Sequence, residues 1–120
     1  VVRRVTTATG EVQEAKPERR RVISEQAAKT VTGMLEEVVT GGTAKRAMQF
    51  GGYRAAGKTG TAEFFTRDGK KSQHAWFTGF APYNDPEVVV TVYFDIGVGG
   101  DKAAPVAGKI FDYFMEHVQP

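Results

Sequence analysis

Residues 58 to 61 read Lys-Thr-Gly-Thr, which places an ammonium, two hydroxyls and one residue without a side chain on four consecutive positions. A lysine ammonium beside hydroxyls can hold a carboxylate, and a glycine lets the backbone of a ligand come close. If Lys58, Thr59, Gly60 and Thr61 lie on an edge strand, that strand can also offer a backbone amide to the oxyanion formed when an amide or ester is attacked. That combination suits a wall of a serine acyl-transfer site.

The same letters allow a second chemistry. Gly52-Tyr53-Arg54-Ala55-Ala56-Gly57-Lys58-Thr59 has two glycines five apart followed by Lys and Thr, the text of a phosphate loop. An apolar run ending at Asp95 imitates the acidic strand that holds magnesium in nucleotide-binding enzymes. A phosphate loop, however, needs its Lys-Thr pair to open a helix, whose free amides and positive end cradle the phosphates. Here Gly60-Thr61-Ala62-Glu63-Phe64-Phe65-Thr66 follows, then the turn pair Asp68-Gly69, which is strand and hairpin chemistry. Residues 44–50 do not read as a buried strand, and no helical pattern separates Lys58 from Asp95. The phosphate loop is therefore the weaker alternative.

The elements that must position these residues follow from periodicity and punctuation. Residues 1–23 form a hairpin and connector: β-branched residues up to Thr7, a turn at Thr9-Gly10, a return over 11–15, then Pro17 and the run Arg19-Arg20-Arg21. Ser24 caps a helix over 24–40 with apolar positions Ala27, Val31, Leu35 and Val38, and Gly41-Gly42 stops it in the left-handed conformation. Residues 43–48 add one short turn. Residues 53–95 form a three-stranded antiparallel meander with the Lys-Thr-Gly strand first, turning at Asp68-Gly69 and again at 82–86. Gly97, Gly99 and Gly100 make a flexible connector. Pro105 opens a final helix over 103–118 with Val106, Ile110, Phe114 and Val118 on one stripe.

The class is α+β, an antiparallel meander packed against helices. Residues 88–94 alternate so little that the strand should be covered on both faces, which two helices cannot achieve, so further protein is expected around it.

Bulk properties bound the partners. With 120 residues, 41% of them hydrophobic and 25% charged, the chain is one folded unit. A net charge of +2 and one short arginine run without interleaved aromatics argue against nucleic acid. The absence of cysteine removes disulfides, thiolate metal sites and cysteine nucleophiles. No apolar run approaches the ~18 residues that span a bilayer, so any anchor or targeting signal is expected outside these residues. His74 beside Trp76 and Phe77 reads as packed or rim-lining, His117 as a partner of a helix end, and Gly60 could mark a bulge. Ser24 has no base partner and is a cap.

Residues 52–62, and Thr78-Gly79-Phe80-Ala81-Pro82-Tyr83-Asn84-Asp85-Pro86, closely resemble class B penicillin-binding proteins, the peptidoglycan D,D-transpeptidases. The order of elements after the Lys-Thr-Gly strand resembles the C-terminal portion of their fold, which is shared with serine β-lactamases. His74-Ala75-Trp76-Phe77 and Ala81-Pro82-Tyr83 look more like the elongation type, penicillin-binding protein 2, than the division type. That family also uses a Ser-x-x-Lys and a Ser-x-Asn motif. The only serines are Ser24 and Ser72, and neither has lysine three residues on or asparagine two residues on.

The resemblance implies that residues 1–120 are a C-terminal fragment of a transpeptidase domain, inactive alone. It implies carboxylate binding by Lys58, Thr59 and Thr61, close approach at Gly60, an oxyanion amide from Thr61, and no metal or cofactor. The implied partners are the D-Ala-D-Ala end of a peptidoglycan stem peptide, β-lactam antibiotics, the rest of the transpeptidase domain and wall-elongation proteins. The implied place is the outer face of the bacterial inner membrane, with the parent anchored by an N-terminal helix. Self-association of the lone fragment is expected through open strand edges. A noncatalytic penicillin-binding-like module is the other alternative.

Overall fold

In the computed structural model, residues 2–48 and 51–118 are described. Val1, Gln49, Phe50, Gln119 and Pro120 lie outside them, and with them the first residue of the expected hairpin, the last two of the stretch 44–50 and the end of the fragment as a whole.

The chain runs β1 (Arg4–Thr6), β2 (Val12–Glu14), α1 (Glu25–Thr40), β3 (Ala56–Phe65), β4 (Lys71–Ala81), β5 (Val88–Phe94) and α2 (Ala104–His117). A 3₁₀ turn, Lys45–Met48, precedes β3, and a wide π-turn, Gly99–Ala103, leads into α2. The strands β3, β4 and β5 make one antiparallel sheet in that order, while β1 and β2 form a separate exposed ribbon. The α+β class expected from the sequence is the one observed.

Local chemistry explains the element ends. Ser24 adopts extended backbone and its Oγ accepts the Ala27 N–H at 3.1 Å, satisfying one of the free donors of the first turn of α1. At the other end, Gly41 and Gly42 both donate to the Glu37 carbonyl, at 3.0 and 3.1 Å. The left-handed stop expected there is absent, since Gly41 has φ −135°. Glycine is needed at 42 for room: a Cβ would stand 2.9 Å from the Val38 Cα. Between β3 and β4 only Gly69 takes positive φ, at 78°, while Asp68 Oδ1 accepts the Thr66 hydroxyl at 2.6 Å. That bond holds the Asp68 carboxyl below its ordinary range.

Side chains alternate across the sheet, so one face carries Ala75, Phe77 and Ala81 of β4 with Val90 and Val92 of β5. The interior forms between this face and Val39, Ala44, Ala47, Ala104, Ala107 and Phe111. Phe77 and Phe111 are fully buried and meet edge to face, 6.4 Å between centroids. Each such side chain contributes roughly 2–3 kcal/mol on leaving water. The opposite face carries Lys58, Trp76, Thr78, Val89, Thr91 and Tyr93, all exposed. Within these residues β5 is covered on one face only, as expected of two helices: Val90 and Val92 are buried, while Val89 is 70% exposed.

The glycines after β5 are also not the flexible connector expected. Gly99 is buried, and a Cβ on it would stand 2.6 Å from the Gly60 carbonyl oxygen. A Cβ on Gly100 would collide with the Thr43 carbonyl. Close approach, rather than mobility, explains this pair.

Candidate active site

Lys58 and Thr59 lie inside the ten-residue strand β3. No helix opens at the Lys-Thr pair, so the phosphate-loop alternative loses the donors it would require. Among the described residues β3 is an edge of its sheet, paired only with β4. The hairpin register decides what it shows to the free side. Thr66 N–H donates to Lys70 O at 2.9 Å, which makes 66 and 70 a hydrogen-bonded pair one step beyond Phe65 opposite Lys71. Alternation along an antiparallel ladder then commits the backbone groups of Lys58, Gly60 and Ala62 to β4, and turns the N–H and C=O of Thr59 and Thr61 outward. Pairing continues one to one through Gly60 opposite Trp76, so Gly60 is not a bulge. A Cβ there would stand 3.2 Å from the Trp76 Cβ.

The same two-residue period divides the side chains. Lys58 belongs to the open face and is exposed, and its Nζ curls to donate to the Thr59 carbonyl at 2.8 Å. Thr59 and Thr61 belong to the other face, where the Oγ1 atoms of Thr43 and Thr59 are 2.7 Å apart and Gly99 N–H donates to Thr61 Oγ1 at 3.4 Å. The strand thus brings the two threonine hydroxyls together. The ammonium reaches them only around the free edge. Both threonines line a groove of about 310 Å³ whose other walls include Thr43, Lys45, Arg46 and Asp101. Arg46 closes one side of it through a 3.2 Å ion pair with Asp101.

Two anchors fix the start of β3. Arg54 grips Glu36 of α1 with both arms, Nε to Oε1 at 2.5 Å and Nη2 to Oε2 at 2.8 Å, and lies 4.2 Å over the Tyr83 ring. The hydrogen bonds from Arg54 hold the Glu36 carboxyl below its ordinary range. Tyr53 donates to Asp112 Oδ1 of α2 at 3.0 Å, and its ring meets Phe111 edge to face. Burial first, then the Asp112 carboxylate, raises the Tyr53 hydroxyl well above the usual tyrosine value.

The remaining candidates have structural partners. The His74 ring stacks on Phe64, 4.1 Å between centroids, with Nδ1 at 2.9 Å from the Tyr93 hydroxyl and 2.7 Å from the Asp95 carbonyl oxygen. His117 Nδ1 stands 3.1 Å from Tyr113 O at the end of α2. Among the described residues no group of three or more His, Cys, Asp or Glu is placed to hold a metal. Sequence reasoning missed Thr43, Gly99 and Gly100, whose partners lie 16 or more residues away in the chain and leave no local pattern.

The family described as the penicillin binding protein transpeptidase domain matches residues 1–115. The chain is similar to the peptidoglycan D,D-transpeptidase MrdA of Haemophilus influenzae, 40% identical over 91 residues that make up 66% of this chain and 14% of that protein. It is similar to the stage V sporulation protein D of Bacillus subtilis, 44% identical over 100 residues, or 77% of this chain and 15% of that protein. In structure it resembles a peptidoglycan synthetase from Bifidobacterium adolescentis, with TM-score 0.74 and 30% identity over 95% of this chain and 22% of that one. The chain therefore spans only a small part of the length of the proteins it matches.

Proposed function

Because the chain belongs to the penicillin-binding protein transpeptidase family, we propose that it supplies the substrate-binding strand of a peptidoglycan D,D-transpeptidase. The observation that carries this reading is the free edge of β3, where two hydroxyls and an outward backbone amide stand together. In this reading the hydroxyls of Thr59 and Thr61 donate to the terminal carboxylate of a D-Ala-D-Ala stem peptide, and Lys58 adds its positive charge. The bond from Lys58 Nζ to the Thr59 carbonyl supports such a role, because that carbonyl faces the free edge. Gly60 lets the peptide backbone lie against the strand, and the Thr61 N–H donates to the oxyanion.

The reaction is acyl transfer in two steps. A serine oxygen attacks the penultimate carbonyl carbon and the terminal D-alanine leaves with a proton, giving an ester. An amine of a second stem peptide then attacks that ester, forming the cross-link and returning the proton to the serine. The serine and its activating lysine are not among these 120 residues, so the chain alone is inactive in this reading. β-Lactams acylate the same serine. The elongation subtype, wall-elongation partners and a place on the outer face of the inner membrane belong to the same proposal. Among the described residues, no helix is long and apolar enough to cross a membrane.

The test is labelling by a fluorescent penicillin. The full-length protein carrying this segment takes up a covalent label that unlabelled benzylpenicillin competes away, and the isolated 120 residues take up none. A full-length protein that never labels would end the proposal.

A further inference from the structure

Thr59 and Thr61 each carry a single hydroxyl proton, and a carboxylate can only accept. A hydroxyl that serves such an anion must aim its proton at it, so every other partner of that oxygen has to be a donor. The Gly99 N–H meets this condition on Thr61 Oγ1, at 3.4 Å. On Thr59 the partner is the Thr43 hydroxyl at 2.7 Å, which is free to donate or accept.

Thr43 is not a loose surface side chain. The next residue, Ala44, is fully buried and its N–H donates to Val38 O at 3.0 Å. Gly100 packs so closely on the Thr43 carbonyl that no Cβ fits, and Arg46 ties the same turn to Asp101 at 3.2 Å. The Gly99-Gly100 pair thus presses one glycine against β3 and the next against the loop that delivers Thr43.

We infer that Thr43 is a positioning residue of the carboxylate site: it donates to Thr59 Oγ1 and thereby commits the Thr59 proton to the anionic end of the ligand. The inference rests on the transpeptidase reading above and deepens it. Two successive O–H bonds running the same way polarise each other, so the Thr59 proton becomes a better donor than an isolated hydroxyl would offer. Paired with the Gly99 amide behind Thr61, this makes a preset two-proton cradle for a carboxylate.

The experiment compares benzylpenicillin, which has a free carboxylate, with its methyl ester, which does not, on the full-length enzyme. In T43V the second-order acylation rate falls about three- to tenfold with benzylpenicillin, the size of one hydrogen bond, and stays about the same with the ester. T43S restores the rate, since it keeps the hydroxyl. In a T59V background, T43V has no further effect. An unchanged rate in T43V, or an equal loss with both ligands, overturns the inference while leaving the transpeptidase reading in place. A wild-type enzyme that neither compound acylates removes both.

Discussion

Along β3, alternation sends the Lys58 side chain to the open face and the two threonines to the groove, so in the proposed site all three meet one ligand at the strand edge. The ammonium touches nothing but the neighbouring Thr59 carbonyl among the bonds described, so its removal barely disturbs folding. We expect Lys58→Ala in the full-length enzyme to slow acylation by benzylpenicillin on the order of 10²-fold, as loss of a charged donor at a reacting site does. Its stability should stay within about 0.5 kcal/mol of wild type by urea titration. Acylation at the wild-type rate would remove Lys58 from the site. The four residues 58 to 61 were singled out as candidates because their types and spacing are local. Thr43 was not, because its partner is 16 positions away and a threonine after two glycines looks like any loop residue.

β3 is paired along its length with β4, and the two-armed grip of Arg54 on Glu36 ties α1 to the residues that lead into it. The grip lowers the Glu36 pKa in the folded protein. Its contribution is then complete above the unfolded glutamate value of about 4.3, and is lost as pH falls through the lower folded value. Glu36→Gln should melt at lower temperature than wild type near neutral pH, and the difference should shrink as both are acidified below pH ~4. A constant difference down to pH ~3 would show that the carboxylate charge is not what matters. Helix caps and turns at this scale could be read where the chemistry is local: Ser24 caps α1, and Gly69 takes the left-handed turn position. Gly41-Gly42 and Gly99-Gly100 misled for the opposite reason. Their lack of a side chain is explained by backbone approaching from elsewhere, Val38 in one case and Gly60 and Thr43 in the other.

For the whole molecule, fold class and family were both within reach of the sequence, since the strand–turn–strand punctuation and the motif context cover nearly every residue. Which face of β5 these residues cover was not. A run such as Val88-Val89-Val90 looks the same whether one face is covered or two, and here Val90 is buried while Val89 is 70% exposed. Trp76 at 41% and Tyr93 at 45% exposure extend this apolar area across the open face, between two sheet edges that pair with no further strand among the described residues. In the isolated chain another copy can remove this apolar surface from water, and unpaired edges supply the hydrogen bonds that fix such an encounter. The isolated 120-residue chain should therefore show a mass by light scattering that rises with concentration. V89K, which places a charge on the open face without touching the interior, should shift that rise to higher concentration. A chain that stays monomeric at high concentration and melts in one sharp transition would mean that the open face is tolerated in water, and that the apolar strip from Trp76 to Val89 needs no cover.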